Sequence, residues 1–336
     1  MVTIKQVSEL AGVSLATVSR VINNTAQVKP HTKARVEEAM KQLGYRPNFI
    51  AQSLASSKSN TVGYVVPELH GAFFGAMLSR TERILRKASK HLFISAGHSN
   101  EQDEINAIES LRDRRCDALI LHLEAISDEY LINLAKEDIT FIVVNRHIPA
   151  IANRCIGINN IQAAHIATNT VIQNGHKHIA YITGSMWKSD AAERLIGHKQ
   201  ALTDANIEKS LDYVLEGDFQ AQSGYEKTLE ILEKFTEVTA IVCANDEMAY
   251  GACNAIREQH LAIPNDISVM GFDNIEFSKF TYPRLTTMNF PTAEMSEQAA
   301  NWVLANVYQQ TVDYNIDCIL PEVVIRESIA DLRSNN

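Results

Sequence analysis

Thr3-Ile4-Lys5-Gln6-Val7-Ser8-Glu9-Leu10-Ala11-Gly12-Val13-Ser14-Leu15-Ala16-Thr17-Val18-Ser19-Arg20-Val21-Ile22-Asn23 reads as two short helices joined by a tight turn. Thr3 and Gln6 have the S/T-x-x-E/Q spacing of a capping box, so the first helix begins at Ile4. Ile4, Val7, Leu10 and Ala11 recur at helical spacing, and Gly12 ends the run. Ser14 caps a second helix carrying Thr17, Val18, Val21 and Ile22, which stops at Asn23-Asn24. Pro30 and Thr32 announce a third, with Val36, Met40 and Leu43 on one face and Gly44 at its end. The small residue and glycine in Ala11-Gly12-Val13-Ser14 let two helices cross steeply, as a helix-turn-helix requires.

The second helix of such a pair enters a major groove N-terminus first, presenting Ser14, Leu15, Ala16, Thr17 and Arg20. Ser14 and Thr17 suit phosphate oxygens, and Arg20 reaches a guanine or a phosphate. The side chains of Leu15 and Ala16 cannot hydrogen-bond, so they read thymine methyls or groove shape. Thr3, Ser19, Asn23, Thr32 and Tyr45 complete the DNA-facing set expected of this head. A plain three-helix bundle would share the apolar pattern, but not the polar face or the charge.

The 336 residues carry 31 Lys plus Arg against 40 Asp plus Glu, a net −9. Residues 1–59 hold eight basic groups and three acidic ones, a net +5, which leaves 23 against 37, or −14, for the remainder. A basic head on an acidic body points to a polyanion partner for the head alone. At about 150 residues per domain the length suggests two or three domains. A hydrophobic fraction of 46% with 21% charged residues excludes a disordered or fibrous chain. No run approaches the ~20 apolar residues of a membrane span. The N-terminus has no apolar signal core. Five scattered cysteines without a CxxC pair make neither a disulfide scaffold nor a zinc site. The expectation is a cytoplasmic protein without a cofactor or a membrane partner.

After the head, Pro47 breaks the third helix and Asn48 can cap a short new one through Ala51 to Leu54. That segment is too short to be stable alone in water and would order against DNA or a twin copy, with Leu54 as an apolar wedge in the minor groove. Lys58-Ser59-Asn60 reads as a linker.

From Thr61 onward, strand-like runs (62–67, 92–96, 118–122, 141–145, 179–183, 240–244, 268–272) alternate with helical patterns (74–88, 103–112, 163–174, 193–205, 224–232, 249–259). Alternation of this kind indicates an α/β body with parallel sheets covered by helices. Ligands of open parallel sheets sit beyond the carboxyl ends of the strands. The residues there include His70 to Phe74, His122, Asn145-Arg146, Asn245-Asp246 and Asp273. They contain no nucleophile–base pairing. Arg194, Asn245 and Asp273 can each bond neighbouring hydroxyls in pairs, and Phe73, Phe74 or Phe219 can cover an apolar C–H face. A small polyhydroxylated ligand fits that combination.

Residues 3–23 resemble the head of LacI/GalR-type repressors, and Gly44-Tyr45-Arg46-Pro47-Asn48 followed by Ala51, Ser53 and Leu54 resembles that family's hinge helix. Glu193-Arg194-Leu195-Ile196-Gly197, Ala244-Asn245-Asp246-Glu247-Met248-Ala249, Val269-Met270-Gly271-Phe272-Asp273 and Pro283-Arg284-Leu285-Thr286-Thr287 resemble its effector domain. The resemblance implies a DNA-binding domain with hinge over 1–57. It implies a periplasmic-binding-protein-like effector and dimerisation domain over 58–336. Lobe 1 would take about 61–160 and 291–320, and lobe 2 about 161–290 and 321–336. It further implies a homodimer on a near-palindromic operator, with Leu15 and Ala16 choosing the sequence. Arg194, Asn245 and Asp273 match the family's sugar-contacting residues, and Phe219 an aromatic that closes the cleft; Phe73, Phe74, His122, Asn145 and Arg146 complete the effector set. Phe73-Phe74-Gly75-Ala76-Met77, Ser99-Asn100-Glu101-Gln102, Val144-Asn145-Arg146 and Asn153-Arg154-Cys155-Ile156 look most like the galactose-responsive branch. Gly184-Ser185-Met186 looks equally like β-glucoside regulators, and Asn274 replaces an acidic residue common beside Asp273. Galactose or a galactoside is the favoured effector, with a β-glucoside, a sugar phosphate or a nucleobase as alternatives.

No phosphate loop, dinucleotide fingerprint, zinc-protease helix or nucleophile elbow is present, so an enzyme is not expected. His176 and His178 lack a further ligand at metal spacing. The tail from Ile325 lacks the leucine heptads of a tetramer, so a dimer is expected. Leu54→Ala should weaken specific operator binding in fluorescence anisotropy while leaving effector affinity nearly unchanged; equal loss of both would remove the hinge assignment.

Overall fold

The computed structural model describes residues 2–23, 27–46, 58–316, 318–319 and 321–333. Asn48, Ala51 and Leu54, and with them the hinge helix, lie outside the described residues.

The head folds as its caps dictate. In α1 (Ile4–Ala11), Gln6 N–H donates to the Thr3 hydroxyl and Thr3 N–H donates to Gln6 Oε1, closing the capping box. Gly12 then turns the chain at φ 60°. A side chain there would also meet Arg35, whose guanidinium donates to the Ala11 carbonyl at 2.5 Å. Thr17 N–H donates to the Ser14 hydroxyl at the start of α2 (Leu15–Asn23), and Pro30 opens α3 (Pro30–Leu43). Val7, Ala11, Val18, Val36 and Ala39 form the core between the three helices.

The body contains two sheets. The first has order β2-β1-β3-β4-β5, with β1 Thr61–Val66, β2 His91–Ala96, β3 Ala118–Leu121, β4 Phe141–Val144 and β5 Cys155–Ile156, all parallel. The second has order β11-β10-β9-β8-β6-β7, with β6 Ile179–Thr183, β7 Val214–Glu216, β8 Ala240–Cys243, β9 Ser268–Asp273, β10 Thr286–Asn289 and β11 Glu322–Val324. Only β10 and β11 run antiparallel. The seven anticipated strands are present with ends moved by at most one residue. β5, β7, β10 and β11 were not anticipated: β5, β7 and β11 have two or three residues, and Thr286–Asn289 of β10 is mostly polar, without the apolar run of the equally short β3, β4 and β8.

Three crossings link the sheets. The chain leaves the first sheet after β5 and enters the helix Asn160–Gln173, which packs on β8 and β9. It returns after β10 in the helix Thr292–Tyr308, which lies against the helix Ala72–Lys87 and against β3 and β4. It crosses again beyond Ile319, which bridges Ile158, to reach β11. We call the parts around the first and second sheets lobe 1 and lobe 2.

Two buried carboxylates hold the loops at the strand ends. Glu104 accepts the N–H groups of Glu124 (2.8 Å), Ala125 (3.1 Å) and Ile126 (2.8 Å), fixing the loop after β3. Asp246 accepts Ile275 N–H at 2.9 Å and the Thr287 hydroxyl at 2.6 Å, tying the loop after β9 to β10. Glu104→Ala strands three donors and should cost roughly 3 kcal/mol in urea unfolding; a loss below about 1 kcal/mol would show the loop is held otherwise.

Burial pushes the Asp246 carboxyl up to about 7, against its hydrogen bonds and the charge of Arg326. The folded chain therefore keeps this proton to about pH 7, whereas an unfolded aspartate releases it near pH ~3.9. The stability owed to this group is complete below about pH 4 and is lost as pH rises through about 7. Asp246→Asn should flatten the fall of Tm across that window; an unchanged slope would assign the proton elsewhere.

Candidate functional site

Two surfaces carry the candidate residues. On the head, Ser14, Leu15, Ala16 and Arg20 are exposed along one side of α2, with Leu15 47% accessible although apolar. Thr17 bonds the Ser14 hydroxyl at 2.9 Å, and the Asn23 amide donates to the Ser19 hydroxyl at 3.2 Å, so these side chains are held in place on the helix. Thr3 is exposed at the cap of α1, and Thr32 lies half-buried in the first turn of α3 beside His31. Tyr45 packs against the core of the head, so its ring has a structural task as well.

The second surface is a cleft between the lobes at the carboxyl ends of the strands, enclosing about 150 Å³. Phe73, Phe74, His122 and Asn145 line it from lobe 1, and Arg194, Phe219, Asn245 and Asp273 from lobe 2. The rings of Phe73, Phe74 and His122 meet edge to face, with centroids 5.2 to 6.2 Å apart. Arg194 is 3% exposed: Nε donates to Asn160 Oδ1 at 3.0 Å, Nη1 donates to the Ala244 carbonyl at 2.6 Å, and the guanidinium lies 3.9 Å from the Phe272 ring centroid. Asp273 and Asp190 stand 3.9 Å from it on either side. Burial pushes the Asp273 carboxyl well above the usual carboxylate range; Arg194 draws it back, while Asp246, Asp190 and Glu247 add to the rise.

Both ends of the Asn245 amide are engaged within the protein. Its Oδ1 accepts Met248 N–H and caps the helix Asp246–Glu258, while its Nδ2 donates to the Phe219 carbonyl at 2.8 Å. Phe219 in turn occupies the space over Gly184, where an added Cβ would lie 2.1 Å from its ring. Asn145, Phe219 and Asp273 all have positive φ, at 62°, 72° and 115°. Strained backbone of this kind persists where the surroundings over-determine it, commonly at ligand clamps.

His122 is 3% exposed, and burial lowers its pKa, so the imidazole is neutral. Its Nδ1 and the Oδ1 of Asn145 have no partner among the described residues. Unpaired buried polar atoms cost about 1–3 kcal/mol each.

Arg146 does not join this cleft, contrary to expectation. Its guanidinium turns back onto the Ile126 carbonyl at 2.7 Å and Asp128 at 2.5 Å, and it lines a separate cavity near the crossing at Asn159 and Asn160. Sequence reading missed Ser99, Glu124, Lys188, Asp190, Gln220 and Glu247, which also line the cleft. Asp190 was findable, being four residues before Arg194 and so on the same helix face. Glu124 and Lys188 lie deeper in their loops than the first residues after a strand, to which the strand-end rule applies.

Residues 3–48 match the family model of the bacterial regulatory proteins of the lacI family, and residues 168–329 that of the periplasmic binding protein-like domain. The chain is 37% identical to the transcriptional regulator GalS of Salmonella typhimurium over 98% of its length and 97% of the relative's. It is 37% identical to GalR of Escherichia coli, over 98% and 96%. The repressor PurR of Histophilus somni is 34% identical over 99% and 100%. Among solved structures, the lac repressor dimer bound to operator and the anti-inducer ONPF superposes with a TM-score of 0.87 at 28% identity, covering 98% of this chain and 99% of that one. With the helix-turn-helix head and the two-lobed body, these matches establish that the chain belongs to the LacI family of DNA-binding transcriptional repressors.

Proposed function

We propose that the chain represses a carbohydrate-utilisation operon in the cytoplasm and leaves a near-palindromic operator when galactose or a galactoside enters the cleft. The observation that carries this reading is the make-up of the cleft: the rings of Phe73 and Phe74 with the polar groups of His122 and Asn145 line it from one lobe, and the Arg194–Asp273 pair lines it from the other. A sugar ring has hydroxyls for the one side and C–H faces for the other. The 37% identity to GalS and GalR supports galactose over the alternatives, while the likeness to PurR keeps a nucleobase as the rival reading.

In this proposal residues 1–57 read DNA and residues 58–336 bind effector and a second copy. The homodimer is supported by exposed apolar groups on the body: Phe277, Phe280 and Tyr282 in the loop before β10, and Phe93 and Ile94 on the edge strand β2. Sugar favours one arrangement of the lobes and operator the other, so each weakens the other by the same factor. The lobe nearest the head rotates, the paired hinge segments separate, and the Leu54 wedges withdraw.

Fluorescence anisotropy on a palindromic operator, titrating galactose, glucose, lactose, cellobiose, guanine and a hexose phosphate, tests the proposal. Release by galactose or lactose is the expected outcome; tightening by guanine would transfer the protein to the nucleobase reading. Asp273→Ala should yield a repressor that stays on DNA at every galactose concentration, and normal release by that variant would remove Asp273 as an anchor.

A further inference from the structure

The charges lining the cleft are unevenly matched. Glu68, Glu124, Asp190, Asp218, Glu247 and Asp273 face two permanent cations, Lys188 and Arg194. Arg194 is committed to Asn160, the Ala244 carbonyl and two flanking carboxylates. Lys188 is committed as well: its ammonium pairs with Glu124 at 2.7 Å, with side chains only 16% and 14% exposed. The pair spans the two lobes, because Glu124 lies in the loop after β3 and Lys188 in the loop after β6. Both ends are fixed. Glu124 accepts the Ser99 hydroxyl at 2.5 Å, and its backbone is pinned by Glu104. The ammonium stands 5.4 Å from the Trp187 ring centroid and 5.5 Å from that of Phe219.

A phosphate or carboxylate needs a donor cation to offset its lost hydration. We propose that Glu124 is a specificity-determining residue of this cleft: by holding Lys188 in an ion pair across the lobes, it leaves no permanent cation available among the described residues, so the cleft takes uncharged sugars and turns anionic ones away. This rests on the reading of the cleft as a sugar site and names the class of sugar. An anionic ligand would have to displace Glu124 and then sit among carboxylates. A neutral ring can use the carboxylates as acceptors and leave the pair intact.

Calorimetric titration of the full chain with galactose, galactose 6-phosphate and galacturonate tests it in the wild type, Glu124→Gln and Glu124→Gln/Lys188→Met. Galactose 6-phosphate and galacturonate should bind the wild type at least about tenfold more weakly than galactose. Glu124→Gln frees Lys188 and should bind galactose 6-phosphate about tenfold more tightly than the wild type does, and the double variant should lose that gain. Ser99→Ala, which only loosens Glu124, should move the same way by less, and serves if Glu124→Gln does not fold. Wild-type protein taking galactose 6-phosphate as tightly as galactose would overturn the proposal. So would a normally melting Glu124→Gln that gains nothing. If the wild type binds no neutral sugar, the sugar reading falls, whereas a phosphate gain in Glu124→Gln that vanishes in the double variant would still establish the role of Glu124.

Discussion

Burying the Arg194 guanidinium is the constraint around which the effector cleft is built. A charge 3% exposed must be compensated at close range, and three separate segments supply the compensation. Asn160 opens the helix that follows the first crossing, Ala244 follows β8, and the end of β9 offers the Phe272 ring face and the Asp273 carboxyl. Asn160 also donates to Glu193, the neighbour of Arg194, so the crossing segment is gripped twice. Any change in how the lobes are set must therefore be accommodated around this group, which also forms part of the wall a ligand would touch. One side chain thus touches both the crossing segment at Asn160 and the wall of the cleft.

The strained residues fit the same picture. Asn145, Phe219 and Asp273 hold positive φ at the ends of β4, in the loop after β7 and at the end of β9. In each case a neighbour fixes the turn: Asn145 N–H donates to the Ile156 carbonyl, the Phe219 carbonyl is taken by Asn245, and the Asp273 carbonyl accepts Phe290 N–H. Their side chains are thereby aimed before any ligand arrives. A site organised in advance loses less conformational freedom on binding.

Much of this was legible in the sequence because it is locally determined. The capping box at Thr3 and Gln6 and the glycine stops at Gly12 and Gly44 are decided within a few residues, and the long buried strands announce themselves as apolar runs. The rule that ligands lie at strand ends pointed to Phe73, Phe74, His122, Asn145, Asn245 and Asp273, which line the cleft, whereas Arg194 lies on a helix and Phe219 in a loop. What it could not supply was direction. Asn145 and Arg146 are adjacent, yet the turn at Asn145 sends one side chain into the cleft and the other back onto Asp128. The pairing of Glu124 with Lys188 was equally hidden, since it joins loops 64 positions apart whose approach depends on how the lobes are set. The short strands β5, β7, β10 and β11 owe their existence to neighbours rather than to their own residues.

The attachment of the head gives the lobes unequal roles. The chain enters the body at Ser59 and Asn60, whose backbone N–H groups both donate to the Asp117 carboxylate at 2.7 Å. The Tyr308 hydroxyl donates to the same carboxylate at 2.7 Å, and the Lys90 ammonium lies 3.9 Å from the Tyr308 ring centroid. Asp117 precedes β3, and Tyr308 ends the helix that returns to lobe 1 after the second crossing. The connection to the head is therefore clamped to lobe 1 at the end of its sheet opposite the cleft. Lobe 2 holds Arg194, Asp273, Asn245 and Phe219 and has no such tie among the described contacts. In the proposed mechanism a ligand bridging the lobes would change the position of lobe 1 relative to lobe 2, and the clamp at Asp117 would carry that displacement to residues 58–60. The acidic body disfavours contact with DNA, so in that proposal the basic head is the part whose placement on the operator would change.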